Sequence, residues 1–317
     1  DSERNNLPPG TFVVRDSLLV SKPLNGLVLD LKPVTVSGKV TLHGKAPATG
    51  SDCDGRPNAR KALIEFIGTN GSMTSIGVPC SSTDFSFSAQ LLPGTYRVLV
   101  DHTNVERNNL PPGTFVVQDA LEVSAAVSGL NLDLRPVQIG GTITRNHARP
   151  MTEAACTNDP GKAKSLVRFI TANGSKVTFH VPCSSQDFRF AGQILPGTYT
   201  VMVEDGGAER SNLPLGAFVV HEALEVSGPK QDLVLNLGSV PISGVVTLDG
   251  ATPTTGDNCT SNPHSAKAIV YFQDVETKAS VPTTWVQDYL GITPKTASFS
   301  VPCRSSGFEF SGALPPG

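Results

Sequence analysis

The sequence predicts an all-β chain of tandem seven-stranded β-sandwiches strung into a rod. Three observations carry this. The segment Glu3 to Val14 returns unchanged 103 residues later as Glu106 to Val117, and slightly altered as Glu209 to Val220. A repeat of about 100 residues has the size of a domain with its own core, too long for a solenoid unit. The cysteines keep the same period. Within each period, short runs of alternating apolar and polar residues are separated by Pro- and Gly-bearing corners, without helical periodicity.

One period shows the elements in order. Val137 to Thr144 alternates as a half-buried strand does. A loop with Cys156 follows, then the apolar run Ser165 to Ile170. Asn173-Gly174 marks a hairpin turn before Lys176 to Val181, because both residues tolerate positive φ; Asn70-Gly71 does the same one period earlier. Asp187 to Phe190 comes next, then the corner Leu195-Pro196-Gly197 and the strand Thr198 to Val203. Ala217 to Val220, Ala223 to Val226 and Leu233 to Leu237 close the repeat. About seven short strands in about 100 residues read as a two-sheet sandwich. Each Leu-Pro-Gly corner, such as Leu92-Pro93-Gly94, stops one strand and redirects the chain, since Pro fixes φ and lacks a donor.

The expected organisation is residues 1–34 as closing strands of a preceding or neighbouring-chain sandwich, 35–136 as repeat 1, 137–238 as repeat 2, and 239–317 as an incomplete repeat 3. Short junctions at Pro33, Pro136 and Ser239 contain no Gly/Ser linker, so neighbouring sandwiches should form a semi-rigid array.

Cys53, Cys156 and Cys259 are spaced by 103, and so are Cys80 and Cys183; Cys303 closes the third set. The simplest pairing is Cys53–Cys80, Cys156–Cys183 and Cys259–Cys303. Each would stabilise its domain by about 3–4 kcal/mol through chain entropy. Disulfides point to an oxidising, extracellular or cell-surface setting. Zinc needs four ligands, and no histidine recurs with these pairs. A net charge of −3 without a basic run argues against nucleic acid as partner, and no run of 18 apolar residues is present to span a membrane.

The patterns Val36 to Leu42, Asp84 to Phe87 and Leu91 to Val98 resemble the carboxypeptidase-regulatory-like domains, members of the transthyretin-like (prealbumin-like) sandwiches. The resemblance covers each repeat along its length. It implies an Ig-like β-sandwich and an accessory role as stalk, spacer or binding module in bacterial surface or secreted proteins. The cysteine pair and the Glu-Arg-Asn-Asn segment are not general marks of that family.

No catalytic constellation recurs, so no enzyme activity, cofactor or metal is expected. His43 becomes Asn146 and then Asp249 at equivalent positions. Asp84 and Asp187 read as turn residues. Asp52-Cys53-Asp54-Gly55 hints at a cation loop, but its later copies lose the carboxylates. A Lys–Asn cross-link would need a first-strand lysine in every copy, and Lys39 is replaced by Thr142 and Val245. The recurring Glu-Arg pair, Glu106-Arg107 and Glu209-Arg210, reads either as a contact between neighbouring domains or as a solvated loop. Asn70-Gly71-Ser72 and Asn173-Gly174-Ser175 are formal glycosylation sequons better explained as turns.

Repeat 3 breaks the pattern. Cys183 to Cys303 spans 120 residues rather than 103, an insertion of 17, placed at about 276–298. It contains Trp285, the only Trp, with Tyr289 nearby. Aromatics in a long loop are candidate ligand contacts, here for a cell-surface glycan.

The frame of the chain suggests assembly. Residues 1–34 match closing strands and residues 240–317 match opening ones; only the stretch equivalent to Thr95 to Thr103 is missing from both. The expected assembly residues are Phe12, Val13, Val14, Leu18, Val20, Leu27, Leu29 and Leu31, filling an open sandwich in the same longer array or in a neighbouring molecule. The function expected is an extracellular structural rod or filament built head to tail. The alternative is an adhesin or carbohydrate-binding array using the insertion near Trp285.

Overall fold

In the computed structural model the described residues are 7–102, 107–207, 210–214, 216–262, 265–273 and 296–314. The first full period holds β1 (Val34–Leu42), β2 (Arg60–Gly68), β3 (Met73–Pro79), β4 (Ser86–Leu91), β5 (Gly94–Asp101), β6 (Thr114–Val123) and β7 (Val127–Leu134). The second holds β8 (Val137–Arg145), β9 (Ala163–Thr171), β10 (Lys176–Pro182), β11 (Arg189–Ile194), β12 (Gly197–Asp205), β13 (Ala217–Val226) and β14 (Lys230–Leu237). The third has β15 (Val240–Val245), β16 (Ala266–Gln273), β17 (Thr296–Pro302) and β18 (Glu309–Leu314). Among the described residues, helix occurs only as single turns at the first cysteine of each period: a 3-10 turn Ser51–Cys53, α1 (Ala155–Asn158) and α2 (Asn258–Ser261). The fold is therefore all-β.

The chain divides into two compact units. Unit 1 comprises Asp1–Val137, Asn173–Val177 and Gln193–Gly197. It contains a three-stranded sheet β4-β1-β7 and the run β3-β2-β5-β6. In β4, Phe87, Ala89 and Leu91 are buried while Ser86, Ser88 and Gln90 face water, the period-2 pattern of a half-buried strand. The apolar faces of the two sheets meet: the ring of Phe66 on β2 lies 6.0 Å from that of Phe87 on β4.

The edge pairing β1·β7 is parallel, with Val40 opposite Leu132 and Leu42 opposite Leu134. Gly38 makes it feasible, because a Cβ there would collide with the Leu130 carbonyl. The Leu-Pro-Gly-Thr-Tyr signature also has a local cause. The Tyr96 hydroxyl donates to the Leu92 carbonyl at 2.7 Å, pinning the corner at the start of β5.

Unit 2 comprises Gln138–Ala172, Thr178–Gly192 and Thr198–Gly317. It contains the sheet β11-β8-β14 and the run β10-β9-β12-β13. Phe169 centres its core, with Phe179 at 5.6 Å, Tyr199 at 5.9 Å and Phe190 at 6.0 Å. The third period repeats part of this cluster, with Phe272 at 5.6 Å from Phe299 and 5.9 Å from Phe310. Among its described residues, strands pair only as β15·β18 and β16·β17.

Two local readings are corrected. The runs Ala217 to Val220 and Ala223 to Val226 are not separate; they form the single strand β13. Its counterpart β6 stays paired to β5 through two register irregularities, near Tyr96, Val98 and Leu99, that absorb the bend. At the hairpin tip only Gly71 takes positive φ, 89°; the Asn70 Oδ1 instead accepts the Ser72 N–H at 3.0 Å. Residues 7–33, the described part of the segment read as closing strands of a preceding or neighbouring-chain sandwich, make a single bridge at Thr11 and otherwise form no strand within this chain. Their equivalents in β6 and β7 are strands because β5 and β1 supply hydrogen-bonding edges.

Candidate assembly interface

Each period carries the same internal staple. The disulfides join Cys53 to Cys80, Cys156 to Cys183 and Cys259 to Cys303, with Cα–Cα separations of 5.2, 4.9 and 5.0 Å. The first cysteine sits in the short helical turn and the second just after the hairpin's return strand.

Beside each disulfide is a lysine that reads in sequence as an ordinary surface residue. Lys61 Nζ donates to Thr49 Oγ1 at 3.1 Å and to the Ser82 carbonyl, and lies 4.0 Å from the centroid of Phe85. Lys164 repeats this on Thr152 Oγ1 (3.0 Å), the Ser185 carbonyl (2.6 Å) and Phe188 (4.3 Å). Lys267 does so on Thr255, Ser305 and Phe308. Lys61 and Lys164 are fully buried. An ammonium survives there because carbonyl, hydroxyl and ring face replace water. Burial pushes both amines below their ordinary pKa, and the carboxylates of Asp84 and Asp187 oppose that shift. The lysine ties the loop before the first cysteine to the turn after the second, so the staple has a covalent and a polar strand. The period itself was the signal for it: Lys61, Lys164 and Lys267 are spaced by 103.

Arg107 works inside its own sandwich. Its Nε donates to Asp52 Oδ2 at 2.8 Å and its Nη1 to the Arg60 carbonyl at 3.1 Å. That bond holds the Asp52 carboxyl below its usual range, so this carboxylate is engaged with a guanidinium.

A second recurring feature is a clasp within unit 1. Thr11 exchanges two backbone hydrogen bonds with Met73, at 2.8 and 2.7 Å, and the Val13 N–H donates to Ser72 Oγ at 2.9 Å. Gly10 is required: its φ is 137°, and a Cβ would stand 2.5 Å from the Met73 carbonyl oxygen. One period on, the Val116 N–H donates to Ser175 Oγ at 2.9 Å, Thr114 pairs with Lys176, and Gly113 takes φ 125°. Ser72 and Ser175 are both buried. The Asn-Gly-Ser hairpin tips thus bind a passing chain segment as well as turning the chain.

The expected assembly residues are mostly uncovered. Phe12, Val13 and Leu31 are half-buried, while Val14, Val20 and Leu27 are exposed. Leu18 is 43% exposed against 6% for its equivalent Leu121, and Leu29 is 57% exposed against 2% for Leu132. In the third period a cleft of about 540 Å³ opens beside β15, lined by Ile242, Ser243, Phe299, Gly312 and Ala313 together with Leu213. Val240 and Val245 on β15 are exposed. Trp285, Tyr289 and most of the insertion lie outside the described residues.

One carboxylate has a built seat. Asp133 on β7 accepts from Thr41 Oγ1 and from the Gly44 N–H, both at 2.7 Å. The Thr41 hydroxyl first, then the Gly44 amide and the Arg135 guanidinium, lower its pKa from 3.8 to about 2.

No family model and no curated protein matches the chain. Among solved structures it is similar to the Bacillus anthracis TIE protein, at 12% identity over 65% of this chain, with a TM-score of 0.19. The chain spans only 34% of that protein. It is similar to a DUF3823 family protein from Parabacteroides merdae, at 12% identity over 62% of this chain and 100% of that one, TM-score 0.24. The streptococcal ancillary pilin aligns at 9% identity over 90% of this chain and 88% of its own, TM-score 0.22.

Proposed function

We propose that this chain is an extracellular structural protein, a semi-rigid rod of stapled β-sandwiches stacked head to tail, with periods 35–136 and 137–238 each folding as one sandwich. The observation that supports this best is the staple. The same disulfide recurs in all three periods, each with a lysine bonded to the same threonine and serine positions, fully buried in the first two and half-buried in the third. Repeating a reinforcement, while no acid–base or nucleophilic set repeats with it, fits a load-bearing or spacing element. Disulfides fit an oxidising setting, on a cell surface or secreted. The resemblance of the repeats to carboxypeptidase-regulatory-like modules agrees with a stalk or spacer.

The short junction supports the stiffness this reading assigns. Only Arg135 and Pro136 separate β7 from β8, too short a link for free swing. Self-association is the partner this reading favours. Small-angle scattering of the monomeric chain tests it: a maximum dimension and cross-section that fit an elongated rod support the reading, and a compact or broadly distributed particle contradicts it. The adhesin reading rests on the residue types Trp285 and Tyr289 alone, and a glycan titration followed by Trp fluorescence decides it.

A further inference from the structure

Two parallel pairings set a template. On β1, Val36, Gly38, Val40, Thr41 and Leu42 face Val127, Leu130, Leu132, Asp133 and Leu134. On β8, Gly141, Ile143, Thr144 and Arg145 face Leu233, Leu235, Asn236 and Leu237. The equivalent positions of the third period are Ile242, Gly244, Val246, Thr247 and Leu248. Among the described residues no strand lies on this side of β15, which pairs with β18 alone.

The acceptor features are nevertheless retained. Glycine stands at 244, as at 38 and 141; at 38 and 141 a Cβ would strike the partner strand's carbonyl, and at 244 it would meet the Phe310 ring of the same sheet. The tight turn after the strand is the same: the Leu42 N–H bonds the Lys45 carbonyl at 2.8 Å, and the Leu248 N–H bonds that of Ala251 at 2.9 Å. Asp249 and Gly250 take φ 51° and 78°, matching His43 and Gly44 at 52° and 75°. In the first period this turn aims the Gly44 N–H at Asp133; in the second it aims the His147 N–H at Asn236 Oδ1, at 2.7 Å, with Thr144 Oγ1 at 3.0 Å. Thr247 and the Gly250 N–H occupy those two donor positions in the third.

The chain also carries the matching insert. Leu24, Leu27, Leu29, Asp30 and Leu31 are the equivalents of Val127, Leu130, Leu132, Asp133 and Leu134. In the structure these residues form no strand, and Leu24, Leu27 and Leu29 are exposed.

We propose that residues 24–31 of one molecule add to β15 of a second copy of this chain as a parallel strand. Leu27 stands opposite Gly244, Leu29 opposite Val246 and Leu31 opposite Leu248, while the Asp30 carboxylate accepts from Thr247 Oγ1 and the Gly250 N–H. The leucines on the inward face fill the cleft beside Ile242 and Phe299. The inference rests on the rod reading and names its partner. Because donor and acceptor are different surfaces, the contact is heterologous and propagates into open chains.

Sedimentation of the 317-residue chain over a wide concentration range tests it. Wild type should form a concentration-dependent ladder of oligomers. Gly244→Val, which blocks the acceptor, should stay monomeric, as should Leu27→Asp/Leu29→Asp, which spoils a donor segment already exposed in the monomer. Mixing these two variants should give a one-to-one heterodimer and nothing larger, since only one intact donor meets one intact acceptor. Success of the mixture shows that the acceptor sandwich of Leu27→Asp/Leu29→Asp is folded, and an unchanged near-ultraviolet spectrum of Gly244→Val shows that its loss of association is not loss of fold. Asp30→Ala should weaken association at least tenfold, because a charged acceptor is lost from two donors. A wild type monomeric throughout, oligomers unaffected by Gly244→Val, or a mixture that does not pair each overturns the proposal. A monomer that still scatters as a rod would leave the rod reading standing, whereas a compact monomer would end that reading independently.

Discussion

Residues 127–134 and 24–31 are one sequence pattern in two states. Leu132 is 2% exposed on β7, paired to β1; Leu29, one period earlier, is 57% exposed and in no strand. Intrinsic propensity is nearly the same in the two segments, so it does not decide. The deciding term is the edge: β1 offers a row of backbone groups and an apolar face, and without such a row an isolated strand is unstable in water. The core residues around it follow suit. Val36 and Val40 are fully buried beside β7, whereas their equivalents Ile242 on β15 and Val246 just after it are only half-buried.

Several substitutions can break or sharpen this contrast. The largest effect is expected for Phe169→Ala, which empties the centre of a closed sandwich and should cost about 3–5 kcal/mol. Denaturant unfolding measures it. Removing the Cys156–Cys183 staple as a double serine variant should cost about 3–4 kcal/mol, judged from the loop it closes. Leu132→Ala should cost about 2–5 kcal/mol, while Leu29→Ala in the monomer should leave the unfolding midpoint unchanged; equal effects would refute the contrast. Lys164→Met should cost about 1–3 kcal/mol, because the Thr152 hydroxyl and Ser185 carbonyl lose their donor inside the fold.

A pH experiment isolates the seat of Asp133. Its folded pKa lies near 2 against an ordinary 3.8, so its contribution is complete above pH 3.8 and is lost as pH falls toward about 2. Asp133→Asn should flatten stability over that window while preserving the fold, since Asn236 fills the equivalent place on β14. The smallest effect is local. Ser72→Ala removes the acceptor of the Val13 N–H, a loss of about 0.5–1.5 kcal/mol, and should speed exchange of that amide without moving global unfolding.

Much of this was legible because the chain repeats. Alternation along Phe87, Ala89 and Leu91 gives the strand, and the spacing of Cys53 and Cys80 against Cys156 and Cys183 gives the staple. Lys61 escaped because a lysine beside Arg60 at the start of a strand reads as surface, and only three-dimensional convergence of Thr49, Ser82 and Phe85 makes it a core residue. The clasp escaped for a related reason: Ser72 follows a turn signal strong enough to explain it alone, and its bond to Val13 spans 59 positions. Parallel pairing of β1 with β7 is likewise a contact across about 90 residues, which local pattern does not encode; the glycine at 38 is its trace in the sequence.

The claim that a shared pattern becomes a strand only when it meets an edge is tested most directly by amide hydrogen exchange in two peptides of one chain. Residues 127–134 should be protected at every protein concentration. Residues 24–31 should exchange freely when the protein is dilute and gain protection as concentration rises and β15 of another copy becomes occupied. Protection of residues 24–31 at the lowest concentration, or free exchange at the highest, would contradict the claim.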